Sequence, residues 1–151
     1  FHRSSSQSGD TGITINNAPG AKVLNNTVIL SGTYPSAIEY RFTATKNVDI
    51  RYNLCDAGVQ QRDGATGTVS DNVTTAKAAW FVNAASGDLH LVDAATAAID
   101  NAKAHPDVTN DYDGDGRAAG SAPDVGADEQ GAASGPDTVP PEPPANLRVV
   151  K

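Results

Sequence analysis

Residues 38–72 read IEYRFTATKNVDIRYNLCDAGVQQRDGATGTVSDN, and one pattern occurs twice within them. Ile38-Glu39-Tyr40-Arg41-Phe42 alternates apolar and polar residues, as does Val48-Asp49-Ile50-Arg51-Tyr52-Asn53. Such alternation marks a strand with one buried face. Val59-Gln60-Gln61-Arg62 and Thr68-Val69-Ser70-Asp71-Asn72 repeat the pair, while Ile13-Thr14-Ile15-Asn16 and Val23-Leu24-Asn25-Asn26-Thr27-Val28-Ile29-Leu30 supply an earlier one. Ile13, Ile38 and Val59 open strands at steps of 25 and 21 residues. Val23, Ile50 and Val69 each lie three residues before an asparagine, Asn26, Asn53 and Asn72, at steps of 27 and 19.

A repeat of this length, built of short strands and turn residues, marks a solenoid. No helical period separates the strands, so an all-β chain, a parallel β-helix, is expected over an α/β repeat. The asparagines fit sharp corners, where the side chain takes αL backbone and bonds its counterpart one coil away. A β-sandwich with loops of similar length is the alternative. The expected core is Ile38, Tyr40, Ile50, Val59, Val69, Trp80 and Leu91, with Phe42 also facing inward.

Composition narrows the function classes. The chain has 151 residues, 14 glycines, 9 prolines and a formal net charge of -7. An acidic chain lacks the cationic footprint that nucleic acid requires, so no nucleic-acid partner is expected. No apolar run is long enough for a membrane span. Cys55 is the single cysteine, which excludes an internal disulfide framework and reads as a small core residue. There is no methionine, and the chain reads as cut from a larger protein at both ends. Its N-terminal stack end then requires the remaining coils of the parent protein or another chain as partner.

After Asn72 the pattern changes. Trp80-Phe81-Val82 is the most hydrophobic cluster, and Ala94 to Ala104 is alanine-rich, fit for a turn or two of helix with Ile99 inward. A solenoid covers the apolar end of its stack with atypical structure, and Trp80 to Glu129 is suited to that. The expected organisation is therefore β-helix coils over 1–79, a C-terminal coil and cap over 80–130, and a linker with the start of a further domain over 131–151.

The motifs Gly87-Asp88-Leu89-His90-Leu91, Ala98-Ile99-Asp100, Asp113-Gly114…Arg117 and Asp124-Val125-Gly126-Ala127-Asp128-Glu129 occur in that order. The last reads as a short buried strand. Together they resemble the C-terminal end of bacterial secreted right-handed parallel β-helix proteins of the pectate-lyase-like superfamily. Ala118 follows the arginine where that group often has proline. Residues 131–144 (GAASGPDTVPPEPP) form a linker, semi-rigid where prolines cluster. Residues 145–151 resemble the first strand of a fibronectin type III-like module. The resemblance implies an extracellular or cell-surface setting with bacterial-type secretion. It implies a chain that binds or acts on polysaccharide, lyase-like on uronate polymers, with the catalytic groove mostly outside this fragment. The alternative is a non-catalytic structural or adhesive surface solenoid, a spacer or scaffold.

Two sites carry candidate chemistry. Asp111, Asp113 and Asp115 alternate with Tyr112 and Gly114, and Gly116 takes the sixth position of an EF-hand-like loop. Converging hard oxygens suit calcium, although Ala122 occupies the twelfth position, where a bidentate Glu is wanted. Asp124 or Glu129 would substitute if the loop folds back. The competing reading is an Asp/Gly turn whose carboxylates cap backbone amides. The second site is an outward column, with Glu39 and Arg41 on one coil and Gln60 and Arg62 on the next. Arg41 and Arg62 would lie about 5 Å apart and hold a uronate carboxylate bidentately. In β-helix lyases a Lys or Arg near such a patch removes a proton, often beside calcium; nothing in this chain singles out that base. The competing reading has Glu39, Asp63 and Asp49 neutralising the arginines. No histidine has a metal-ligand partner at a usable spacing, and no catalytic residue is assigned.

Overall fold

The computed structural model describes residues 10–117 and 119–131. The expected fibronectin-like strand, and all of the linker beyond Gly131, lie outside the described residues. The chain forms β1 (Thr11–Asn16), β2 (Lys22–Leu24), β3 (Thr27–Val28), β4 (Ser36–Arg41), β5 (Val48–Arg51), β6 (Leu54–Cys55), β7 (Val59–Arg62), β8 (Gly67–Ser70), β9 (Phe81–Asn83) and β10 (Asp88–Leu91). Two 3-10 turns, Ala78–Trp80 and Ala84–Ser86, flank β9. Among the described residues no α-helix occurs, and no helix is long and apolar enough to cross a membrane.

The protein is all-β, with stacked parallel strands in three sheets, an arrangement compatible with a solenoid. The sheets are β1-β4-β7, β2-β5-β8 and β3-β6, so each successive stretch of chain lays one strand on every sheet. The register matches the spacing of the sequence: Ile13 pairs Ile38, which pairs Val59, and Val23 pairs Ile50, which pairs Val69. The third sheet continues as a single parallel bridge from Leu54 to Val73.

Two corners recur in every unit, and each is a residue in left-handed backbone. Asn17, Phe42 and Asp63 follow the first sheet's strands, and Asn25, Tyr52 and Asp71 follow the second's. The residue in αL is thus the one before Asn26, Asn53 or Asn72, not the asparagine itself. The asparagines instead form the expected ladder. Asn26 Nδ2 donates to Asn53 Oδ1 at 3.0 Å, and Asn53 Nδ2 donates to Asn72 Oδ1 at 2.8 Å. The same geometry corrects Phe42. Strand alternation ends at Arg41, the positive φ redirects the next side chain, and Phe42 is 37% exposed.

The interior splits into two clusters. Ile15, Val23, Val28, Leu30, Ile38, Tyr40, Val48, Ile50 and Cys55 fill the space between the sheets. Ile29, Tyr52, Leu54, Phe81, Leu91, Ala95, Ala98 and Val125 form the second. The sheet of β3 and β6 is a wall between them: Val28 and Cys55 face the first cluster, Ile29 and Leu54 the second. Burial pushes the Cys55 thiol up to about 12, in keeping with an inert core residue. Of the expected core, Ile38, Tyr40, Ile50 and Leu91 are buried, and Val59 and Trp80 are partly so. Val69 is 39% exposed. It belongs to the last unit of its sheet, where β8 has β5 on one side and, among the described residues, no strand on the other.

The segment after Asn72 lies against the side of the first two units. Gly126 N donates to Tyr52 O at 2.9 Å, Ala127 N to Thr27 Oγ1 at 2.9 Å, and Asn25 Nδ2 to Asp124 O at 3.1 Å. Gly126 has φ +114, and a Cβ there would meet Thr27 Oγ1 at 2.8 Å, so close approach and backbone both require glycine. Residues 123–129 are largely buried but form bends rather than the expected strand, because their amides bond carbonyls and side chains scattered over several elements. The alanine-rich run is a series of turns, not helix. Asp100, in αL, breaks it and donates its N–H to Asp124 Oδ1 at 2.7 Å. Ala95, Ala98 and Ala102 are the buried residues, with Ile99 only partly so.

Candidate functional site

The arginine column forms as the sequence implied. Arg41 and Arg62 are register partners on β4 and β7, and Gln60 is exposed opposite Glu39. Glu39, however, is only 2% exposed. It shares the outward face with the arginines and lies beneath them. Its Oε1 is 3.3 Å from Arg41 Nη1 and its Oε2 is 3.1 Å from Arg62 Nη1. Arg41 also meets Asp63 at 2.7 Å and lies 4.7 Å over the Phe42 ring. The Glu39 contact holds the Arg62 guanidinium above its ordinary pKa. Asp49, expected to join this group, instead pairs with Arg51, its Oδ1 accepting from Arg51 Nε at 2.6 Å.

Asp111, Asp113 and Asp115 line a small pocket of about 170 Å³ together with His90, Asp128 and Glu129. Their roles differ. Asp111 Oδ1 accepts from the backbone N–H of Asp113 at 3.0 Å and of Asp115 at 2.8 Å, so this carboxylate caps its own turn. Asp113 Oδ2 lies 3.1 Å from His90 Nε2. His90, Asp113 and Asp128 present ligand atoms within 4.8 Å of one another. His90 was missed in the sequence because its partners lie 23 and 38 residues away, beyond any local ligand spacing. The only signal was its place in the Gly87–Leu91 motif.

The electrostatics of this corner are set by burial and like charge. Burial raises the pKa of Asp128, Asp124 and Glu129. Burial by itself lowers that of His90, but the bond to Asp88 and the nearby Asp128 and Asp113 carboxylates outweigh it, and the net shift is upward. Tyr112 is raised by burial and by the surrounding carboxylates. Arg117 is lowered by burial. Its guanidinium donates to backbone carbonyls, including Ala127 O at 2.7 Å, and so holds the closing segment together.

A larger cleft, about 760 Å³, lies between residues 103–109 and 115–123, with Lys103, His105, Thr109, Asp115 and Arg117 on its walls. His105 Nε2 is 3.3 Å from Arg51 Nη2 and 3.8 Å from Asp49 Oδ2. No family model, curated protein or solved structure matches the chain.

Proposed function

We propose that the chain is part of an extracellular right-handed parallel β-helix protein of the pectate-lyase-like superfamily, in which this segment is a non-catalytic structural or adhesive spacer. The superfamily assignment rests on the ordered motifs of residues 87–129. Right-handedness rests on the general preference of parallel crossovers, about 98%. The observation that carries the spacer reading is the closed arginine pair. Glu39 lies between Arg41 and Arg62 within 3.3 Å of both, and Asp63 takes Arg41's remaining face. A uronate carboxylate would have to displace a carboxylate already seated there, at a cost an exposed pair would not impose.

A second reading, polysaccharide binding, is favoured by the 760 Å³ cleft. Its size falls in the range of ligand sites, roughly 300–1,000 Å³, and Lys103, His105 and Thr109 offer donors to sugar hydroxyls. Retention of the chain on polyuronate and neutral-glycan gels at low salt separates the readings. The spacer reading expects no retention. Retention lost in the Arg41→Gln/Arg62→Gln double variant would overturn it in favour of the arginine column, and retention lost in Lys103→Ala in favour of the cleft.

A further inference from the structure

We propose that His90, Asp113 and Asp128 form a binding site for one divalent transition metal of borderline softness, zinc being the type, at the seam between β10 and the closing segment. The inference does not depend on the spacer reading. Three observations carry it. His90 Nδ1 is 2.6 Å from Asp88 Oδ1. A carboxylate taking one ring N–H fixes the tautomer and presents the other nitrogen to an ion, the outer-shell arrangement found behind most metal-ligating histidines. That other nitrogen, Nε2, is 3.1 Å from Asp113 Oδ2. Two donors at about 2.1 Å from one ion, separated by roughly 90–110°, lie about 3.0–3.4 Å apart, so the pair already has the spacing of two ligands on one metal.

Asp128 supplies the third and independent observation. It is only 4% exposed, and its Oδ2 accepts the Leu91 N–H at 2.6 Å. Its other oxygen receives no donor from any described residue. Asp128 lines the pocket that His90 and Asp113 share, and the three side chains present ligand atoms within 4.8 Å of one another. One imidazole with two carboxylates suits zinc and its neighbours rather than calcium, which takes six to eight oxygens. Three protein ligands leave a position for water. Tyr112, 54% exposed, has its hydroxyl 2.6 Å from His90 Nε2, so an ion on that nitrogen has to displace this hydroxyl.

The test is calorimetric titration of chelator-stripped chain with Zn²⁺, Mn²⁺ and Ca²⁺ separately, with melting temperature read in parallel. The expected result is one Zn²⁺ per chain and a raised melting temperature, since a ligand bound only by the folded state stabilises it. His90→Gln should abolish the binding and Asp88→Asn should weaken it about 10–100-fold, while His105→Gln leaves it unchanged. Should His90→Gln fail to fold, Asp88→Asn decides, because a merely structural Asp88 would leave zinc affinity untouched. The proposal is overturned if Zn²⁺ does not bind or if binding survives unchanged in the variants of His90 or Asp88. It is also overturned if Ca²⁺ binds and Zn²⁺ does not, which would assign the ion to the oxygens of Asp111, Asp113 and Asp115.

Discussion

The Asn53 side-chain amide donates to the Asn72 side-chain carbonyl at 2.8 Å, one repeat unit away along the stack. Asn53 is fully buried, and the same amide reaches Val23 O at 2.8 Å while its carbonyl accepts from the Asn26 N–H at 2.9 Å. A corner of three units is thereby tied by one side chain that serves as donor and acceptor at once.

Replacing Asn53 by Ala leaves a buried N–H and a buried carbonyl unmet. At about 1–3 kcal/mol for each such group, the loss of stability should be about 2–6 kcal/mol. Urea unfolding monitored by circular dichroism checks this. A loss below about 1 kcal/mol would mean that water or relaxation replaces the ladder.

Ile50 and Val69 are register partners with opposite expectations. Ile50 is fully buried between β2 and β8, so Ile50→Ala should cost about 2–5 kcal/mol. Val69, on the open unit, should cost under about 1 kcal/mol when cut to Ala, since little apolar area leaves water there. Equal melting temperatures for the two variants would contradict the described stack end.

Glu39→Gln removes the charge that holds Arg41 and Arg62 together. Unfolding free energy should fall by about 1.5–3 kcal/mol, the range for a hydrogen bond to a charged group. The two guanidiniums, released from Glu39, should then retain a polyuronate that the unaltered chain does not. Retention by neither chain, together with unchanged stability, would mean that Glu39 is not the group neutralising the pair.

Acid should destabilise the protein through Asp100. Its carboxylate accepts the Ala122 N–H at 3.0 Å, and this bond holds its pKa below the ordinary aspartate value of about 3.8. A depressed folded pKa contributes stability above the unfolded value, and that contribution is lost as pH falls from about 3.8 through the lower folded value. Asp124 has the opposite sign: its burial-raised pKa contributes below about 3.8, and the contribution fades as pH rises through the raised value. Asp100→Asn keeps an acceptor oxygen and tolerates φ 57°. Melting temperature against pH should therefore fall less steeply below about 3.8 in this variant than in the unaltered chain. Parallel curves would remove Asp100 from the acid response.

The sequence by itself determined the strand repeat and its register. Ile13, Ile38 and Val59 pair as their spacing implied, as do Val23, Ile50 and Val69, because strand alternation and corner residues are written locally. The aspartates and the arginine column were legible for the same reason. What only the tertiary structure decided depends on contacts across long stretches of chain. Residues 124–127 bond Asn25, Thr27 and Tyr52 from about 70–100 positions away, so the closing segment bends where its motif suggested a strand. Glu39 alternates like an exposed residue, yet one arginine of its own strand and one from the next bury it. His90 gains Asp113 and Asp128 from a segment folded back over β10. Alternation specifies which face of a strand a residue occupies, but what covers that face is set by distant chain, whose docking free energy no local pattern encodes.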